Sequence, residues 1–108
     1  MSYDVALIDT THSGQHVTVY TKNWTSNFSP ALNATGLSLP DCHGKHAYDI
    51  APEVGIALGQ LTAHPDKYRP LIRGGGYDPD TGTYERLCED LAELLEACTT
   101  HFAAVVDV

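Results

Sequence analysis

Residues 83–98 set the first constraint on this chain. Tyr84, Leu87, Cys88, Leu91, Leu94, Leu95 and Cys98 recur at three- and four-residue spacing, with Glu85, Glu89, Glu93 and Glu96 on the opposite side. A helix with so sharp an apolar stripe has to bury it against another element. The successive Glu pairs at i,i+4 repel by roughly a few tenths of a kcal/mol each, and only Arg86–Asp90 offsets them at that spacing.

The partners of that helix can be read on either side of it. Residues 3–10 and 15–23 alternate in the manner of strands, and His12-Ser13-Gly14 between them reads as a turn, so the pair predicts a hairpin. Residues 49–63 predict a second helix. Asp49 is the expected N-cap, Pro52 falls in the first turn, and Ile50, Val54, Ala57, Leu58 and Leu61 share one face. Gly55 and Gly59 lie one turn apart on another stripe, where the reading is a close packing contact. Residues 24–36 and 37–46 read as irregular, with one helical turn near 30–34, and Asp66 to Arg69 as one further turn. Residues 70–82 form a glycine-rich loop, and residues 102–108 are β-prone. The expected fold is α+β, a small mostly antiparallel sheet packed on two helices. The sheet would comprise the N-terminal hairpin and a C-terminal strand. With 108 residues the chain forms a single domain spanning 1–108.

Charge narrows the function classes. The formal net charge is −8, and residues 76–108 carry eight acids against Arg86 alone. Binding of a nucleic acid polymer needs clustered Lys and Arg, which are lacking, and an anionic membrane surface is disfavoured for the same reason. The chain has no stretch of about 18 apolar residues that would span a bilayer. Three cysteines (Cys42, Cys88, Cys98) and no basic-then-apolar leader point to reduced thiols and a cytoplasmic setting. The three Asn-x-[Ser/Thr] triplets at Asn23, Asn27 and Asn33 then read as loop chemistry rather than glycan acceptors.

Four constellations could carry chemistry. Cys42-His43-Gly44-Lys45-His46 offers a thiol and two imidazoles. With a further ligand from His12, His16 or His64 it could hold zinc, but paired CxxC spacing is missing, and a Cys42/His43 nucleophile pair is the hydrolase version of the same segment. Asp78-Pro79-Asp80-Thr81-Gly82 has a calcium-loop look with the glycine in the wrong register, and reads as a turn. Arg73-Gly74-Gly75-Gly76 could cradle an anion. Trp24, Thr25, Ser26 and Asn27 combine an indole with hydroxyls and an amide, the chemistry a polar ring-bearing ligand requires for stacking and hydrogen bonding.

One resemblance extends over most of the chain. Asn23, Thr25, Ser26 and Asn27, then Leu37, Leu39, His43 and Gly44, then Asp66 and Tyr68, and finally Leu94-Leu95-Glu96-Ala97-Cys98 follow a recurrent pattern. The pattern resembles that of a family of small proteins of actinobacteria and their phages. The resemblance implies an origin and carries no reaction signature. Trp24 stands where that pattern has Tyr, and RGGGYDPDTG stands in place of an Asn-Pro-Pro-Asn-Gly-Trp-like loop.

The sequence therefore predicts a non-enzymatic binding protein without a cofactor or metal. Its ligand would be small, polar and nucleotide-like, held by Trp24, Thr25, Ser26, Asn27, His43, Arg73 and Tyr77. In a phage such a protein could sequester a host signalling molecule. The alternatives are a protein-interaction or self-assembling module using the acidic helix face or a sheet edge, in which homo-oligomerisation would add stability to a small core, and a small Cys/His hydrolase.

Overall fold

The computed structural model describes residues 2–11 and 14–108, so residues 12 and 13 of the expected turn lie outside the described residues. Strands β1 (Ser2–Asp9) and β2 (Val17–Thr25) form the expected antiparallel hairpin. Strand β3 (Val105–Asp107) pairs antiparallel with the other side of β1, giving the order β2-β1-β3. The helices are α1 (Ser29–Ala34), α2 (Ala47–Ala63), α3 (Pro65–Tyr68) and α4 (Tyr84–Thr100). This is the α+β fold expected: α2 and α4 supply the main helical layer, and α1 and α3 are the short helical turns expected near 30–34 and 66–69.

Alternation fixes which face of the sheet is buried. Tyr3, Val5 and Leu7 share the inward face of β1, and their partners on β2 are Trp24, Lys22 and Tyr20. The register slips between Leu7 and Ile8, leaving Val19 as the extra residue of a bulge. Ile50, Val54, Ala57 and Leu61 of α2 meet Leu87, Leu91, Leu94 and Cys98 of α4 in the same core, all fully buried. The apolar stripes read from the sequence are thus the buried ones.

Helix α2 departs from expectation at its start. It begins at Ala47, His46 occupies the N-cap position without a side-chain bond, and Asp49 is an exposed first-turn acid rather than the cap. Pro52 consequently lies inside the helix and not in its first turn. The reason is tertiary. The Ala47 and Tyr48 amides donate to the carbonyls of Ala104 (2.8 Å) and Phe102 (2.9 Å), so the α4–β3 connection supplies the acceptors a local cap would have given. The neighbouring residues are also less irregular than expected. Gly44 N donates to Val106 O and Val106 N to Lys45 O, both at 2.8 Å, and His46 bridges Val105. Residues 44–46 thereby cover the outer edge of β3.

The loops are built by small polar contacts. Thr25 ends β2 and caps a single 3-10 turn (Ser26–Phe28), its Oγ1 accepting from Asn27 N. Thr83 caps α4 in the same way, accepting from Arg86 N at 3.0 Å. No helix among the described residues is long and apolar enough to cross a membrane.

Candidate functional site

The expected ligand platform is divided by the fold. Trp24 is 0% exposed, an anchor of the core where the sequence suggested a stacking surface. His43 lies exposed beside the last strand, its Nδ1 accepting from Val108 N at 3.1 Å and lying 3.6 Å from Asp107 Oδ1. Tyr77 is 75% exposed and covers the guanidinium of Arg69, which is bonded to Glu85 at 2.8 Å and also faces Tyr84. Arg73 is exposed, and its amide donates to Asn27 O at 3.1 Å. His43 is thus not brought to the others, whereas the 25–28 turn and the 73–82 loop do meet. Asn27 makes the junction, its Nδ2 donating to Thr81 O at 2.7 Å.

That junction forms one wall of a cleft of about 440 Å³ between β2, residues 79–82 and the first turns of α4. Asp78 shapes the wall: its side chain accepts from Asp80 N (2.9 Å), and its carbonyl accepts from Thr81 N and Gly82 N. Gly82 has φ +104°, and a Cβ there would fall 2.7 Å from the Phe28 ring. Only glycine lets the turn close down onto Phe28.

The floor of the cleft is ionic. Lys22 lies on the inward face of β2 between Tyr20 and Trp24, and its Nζ is 3.2 Å from Asp90 Oδ1 and 3.2 Å from Glu93 Oε2. Arg86 Nε approaches the same Asp90 oxygen to 3.0 Å from one turn earlier on α4. Asp90 is only 4% exposed. Burial raises its carboxyl above the ordinary carboxylate range, against the pull of Lys22 and Arg86. Its Oδ1 sits in this ionic cluster without a hydrogen bond of regular geometry, and Tyr20 Oη and Trp24 Nε1 are likewise buried without one. Burial pushes the Tyr20 hydroxyl up to about 12, with the nearby Trp24 indole opposing the shift and Asp90 and Glu93 adding to it. Thr25 and Asn23 line the mouth, the latter holding Asp4 at 2.9 Å.

Lys22, Arg86 and Asp90 did not emerge as site residues from the sequence, although a signal was there. Lys22 alternates in phase with Tyr20 and Trp24, which puts a cation on a buried face. Asp90 adjoins the apolar stripe of α4, between Leu94 and the acidic side that begins at Glu93.

The other constellations resolve into structure. Cys42 is buried with Sγ 3.3 Å from Ser38 O, and burial raises its thiol, while its neighbour His43 faces outward. The Asp78–Gly82 segment is the Asx turn just described. No group of three or more potential metal ligands comes together among the described residues, and His12, one of the additional ligands considered, is outside them. Cys98 is core and Cys88 half-buried. In comparison with known proteins, no family model, no curated protein and no solved structure matches this chain.

Proposed function

We propose that the chain is a non-enzymatic binding protein that takes a small polar ligand in the Lys22–Arg86–Asp90 cleft. The observation that carries this reading is the nearly buried Asp90 carboxylate, flanked by two cations at the base of a mainly polar cleft of about 440 Å³. That volume lies in the range of small-molecule sites. A carboxylate beside a guanidinium offers an acceptor next to a donor, the pattern that pairs with the amide or amidine edge of a nucleobase. Thr25, Asn23 and the 79–82 backbone add hydroxyl, amide and peptide groups for a sugar-like portion. The acids around the cleft favour a ligand with few phosphates over a polyanion. Three free cysteines fit a reducing, cytoplasmic setting, and in a phage setting the ligand would be a host signalling nucleotide.

The test is native mass spectrometry of gently purified protein, followed by calorimetric titration of nucleosides and mononucleotides into wild type and Arg86→Ala. The expected result is a retained or titratable ligand whose affinity falls about tenfold or more in Arg86→Ala. Binding unchanged in Arg86→Ala, or no binding across the series, overturns the reading.

A further inference from the structure

Helices α2 and α4 run antiparallel, since Tyr84 of α4 donates to Leu61 O near the end of α2 while Ala47 at the start of α2 donates to Ala104 O beyond α4. Between them lies a second groove, of about 590 Å³, that differs in kind from the polar cleft. Gly55, Leu58 and Gly59 of α2 form one side; Cys88, Ala92 and Glu89 of α4 form the other. The lining is chiefly apolar.

The stripe of Gly55 and Gly59 reads from the sequence as a close packing contact, and no such contact is made within this chain. A Cβ built at Gly55 or Gly59 meets nothing within 4 Å, and neither has a positive φ. Neither glycine is required by the backbone or by a neighbour inside the fold, yet both lower the intrinsic stability of the helix. What they provide is a shallow trough open to the outside. At the end of the helix pair where Tyr48 N bonds Phe102 O, both aromatic side chains are exposed, Tyr48 by 51% and Phe102 by 63%. Glu89 and Glu96, seven residues apart on α4, are exposed along its acidic side.

We infer that this groove docks an amphipathic helix of a partner protein, one with an apolar ridge flanked by Lys and Arg. Charge complementarity selects that occupant. Glu89 lines the groove and Glu96 is exposed two turns further along α4, while no Lys or Arg among the described residues lines it. A basic helix neutralises these two carboxylates, whereas a second copy of this chain brings the same carboxylates and no cation to the groove. The docked helix adds a third layer to the sheet and the helix pair.

The probe is a synthetic helical peptide of four turns with apolar residues at i, i+3, i+4 and i+7 and lysines on both flanks. Its control is a scrambled peptide of the same composition without an apolar face. Anisotropy titrations against the whole chain are expected to show at least about tenfold tighter binding of the amphipathic peptide. The double variant Gly55→Ala/Gly59→Ala, which fills the trough, is expected to raise the melting temperature yet weaken that binding at least about tenfold. Glu89→Lys with Glu96→Lys is expected to weaken it as well and to flatten its salt dependence. Equal binding of the two peptides, or undiminished binding to the double alanine variant, overturns the proposal. Sedimentation showing a wild-type dimer that dissociates in the double alanine variant overturns it in favour of a second copy.

Discussion

Lys22 Nζ lies 3.2 Å from the Asp90 carboxylate and thereby ties the inward face of β2 to the middle of α4. The carboxylate is the more deeply buried partner, so removing each partner has a different consequence. Lys22→Met leaves a buried anion short of one cation and is expected to cost about 3 kcal/mol at neutral pH. Asp90→Asn leaves a neutral acceptor and is expected to cost less, about 1 kcal/mol. Because the folded state raises the Asp90 pKa, the native chain binds this proton more tightly than the unfolded chain. Stability linked to Asp90 therefore increases as pH falls through the folded value toward the ordinary carboxylate range. The Lys22→Met penalty should shrink accordingly between pH 7 and pH 5 in urea denaturation. A penalty that grows on acidification would contradict the assignment.

The tyrosines make the opposite alkaline prediction. Burial pushes both Tyr20 and Tyr84 up to about 12. A raised folded pKa holds the proton in the native state, so this contribution is complete below the ordinary tyrosine value near 10 and is lost as pH rises through about 12. Ultraviolet titration of phenolate should show a late phase that Tyr20→Phe and Tyr84→Phe each diminish. It should coincide with loss of the far-ultraviolet helical signal. A single phase near the ordinary value would mean that neither hydroxyl is buried as described.

Glycine substitutions should split by sign. Gly82→Ala adds a methyl group at φ +104° and 2.7 Å from Phe28, and is expected to destabilise by about 2 kcal/mol or more. Gly59→Ala enters open space on a helix and is expected to stabilise by about 0.5–1 kcal/mol. Thermal unfolding of the two single variants reads both signs directly.

Asn27 and Trp24 separate contact from scaffold. Asn27→Ala removes the 2.7 Å bond to Thr81 O and is expected to cost about 1 kcal/mol while speeding amide exchange over residues 73–82. Trp24→Ala instead empties a fully buried site and is expected to cost about 3–5 kcal/mol, with exchange rising across the sheet and α4. Ligand loss in Trp24→Ala would thus report on the core, and Asn27→Ala is the informative variant for the cleft.

Much of the fold was legible because periodicity is a local property. The stripe Leu87-Leu91-Leu94-Cys98 and the alternation of Tyr3, Val5 and Leu7 each specify a buried face without reference to anything distant. The start of α2 was not legible, since its acceptors, the carbonyls of Phe102 and Ala104, arrive from more than fifty residues further along the chain. The candidate cleft was legible in part. Residues 24–27 are grouped from the sequence with Arg73 and Tyr77 of the glycine-rich loop without a physical reason for the meeting, and Trp24 is in phase with Val5 and Leu7 across the hairpin and turns inward. Lys22 shares that phase, and its long side chain carries the ammonium to Asp90 and Glu93 at the floor of the cleft.

The pairing of Ala6 with Asp107 also governs how the chain must assemble. The central strand obtains its second neighbour from the far end of the sequence, and residues 44–46 cannot complete their ladder until that neighbour is seated. Loop-closure entropy is spent before those hydrogen bonds form, and that cost is expected to slow folding relative to a fold held by local contacts alone. The hairpin and the helices can fluctuate into place early. Docking of Val105–Asp107 is expected to come late, and the Val106 amide, buried and bonded to Lys45 O, should be the slowest of that short strand to exchange.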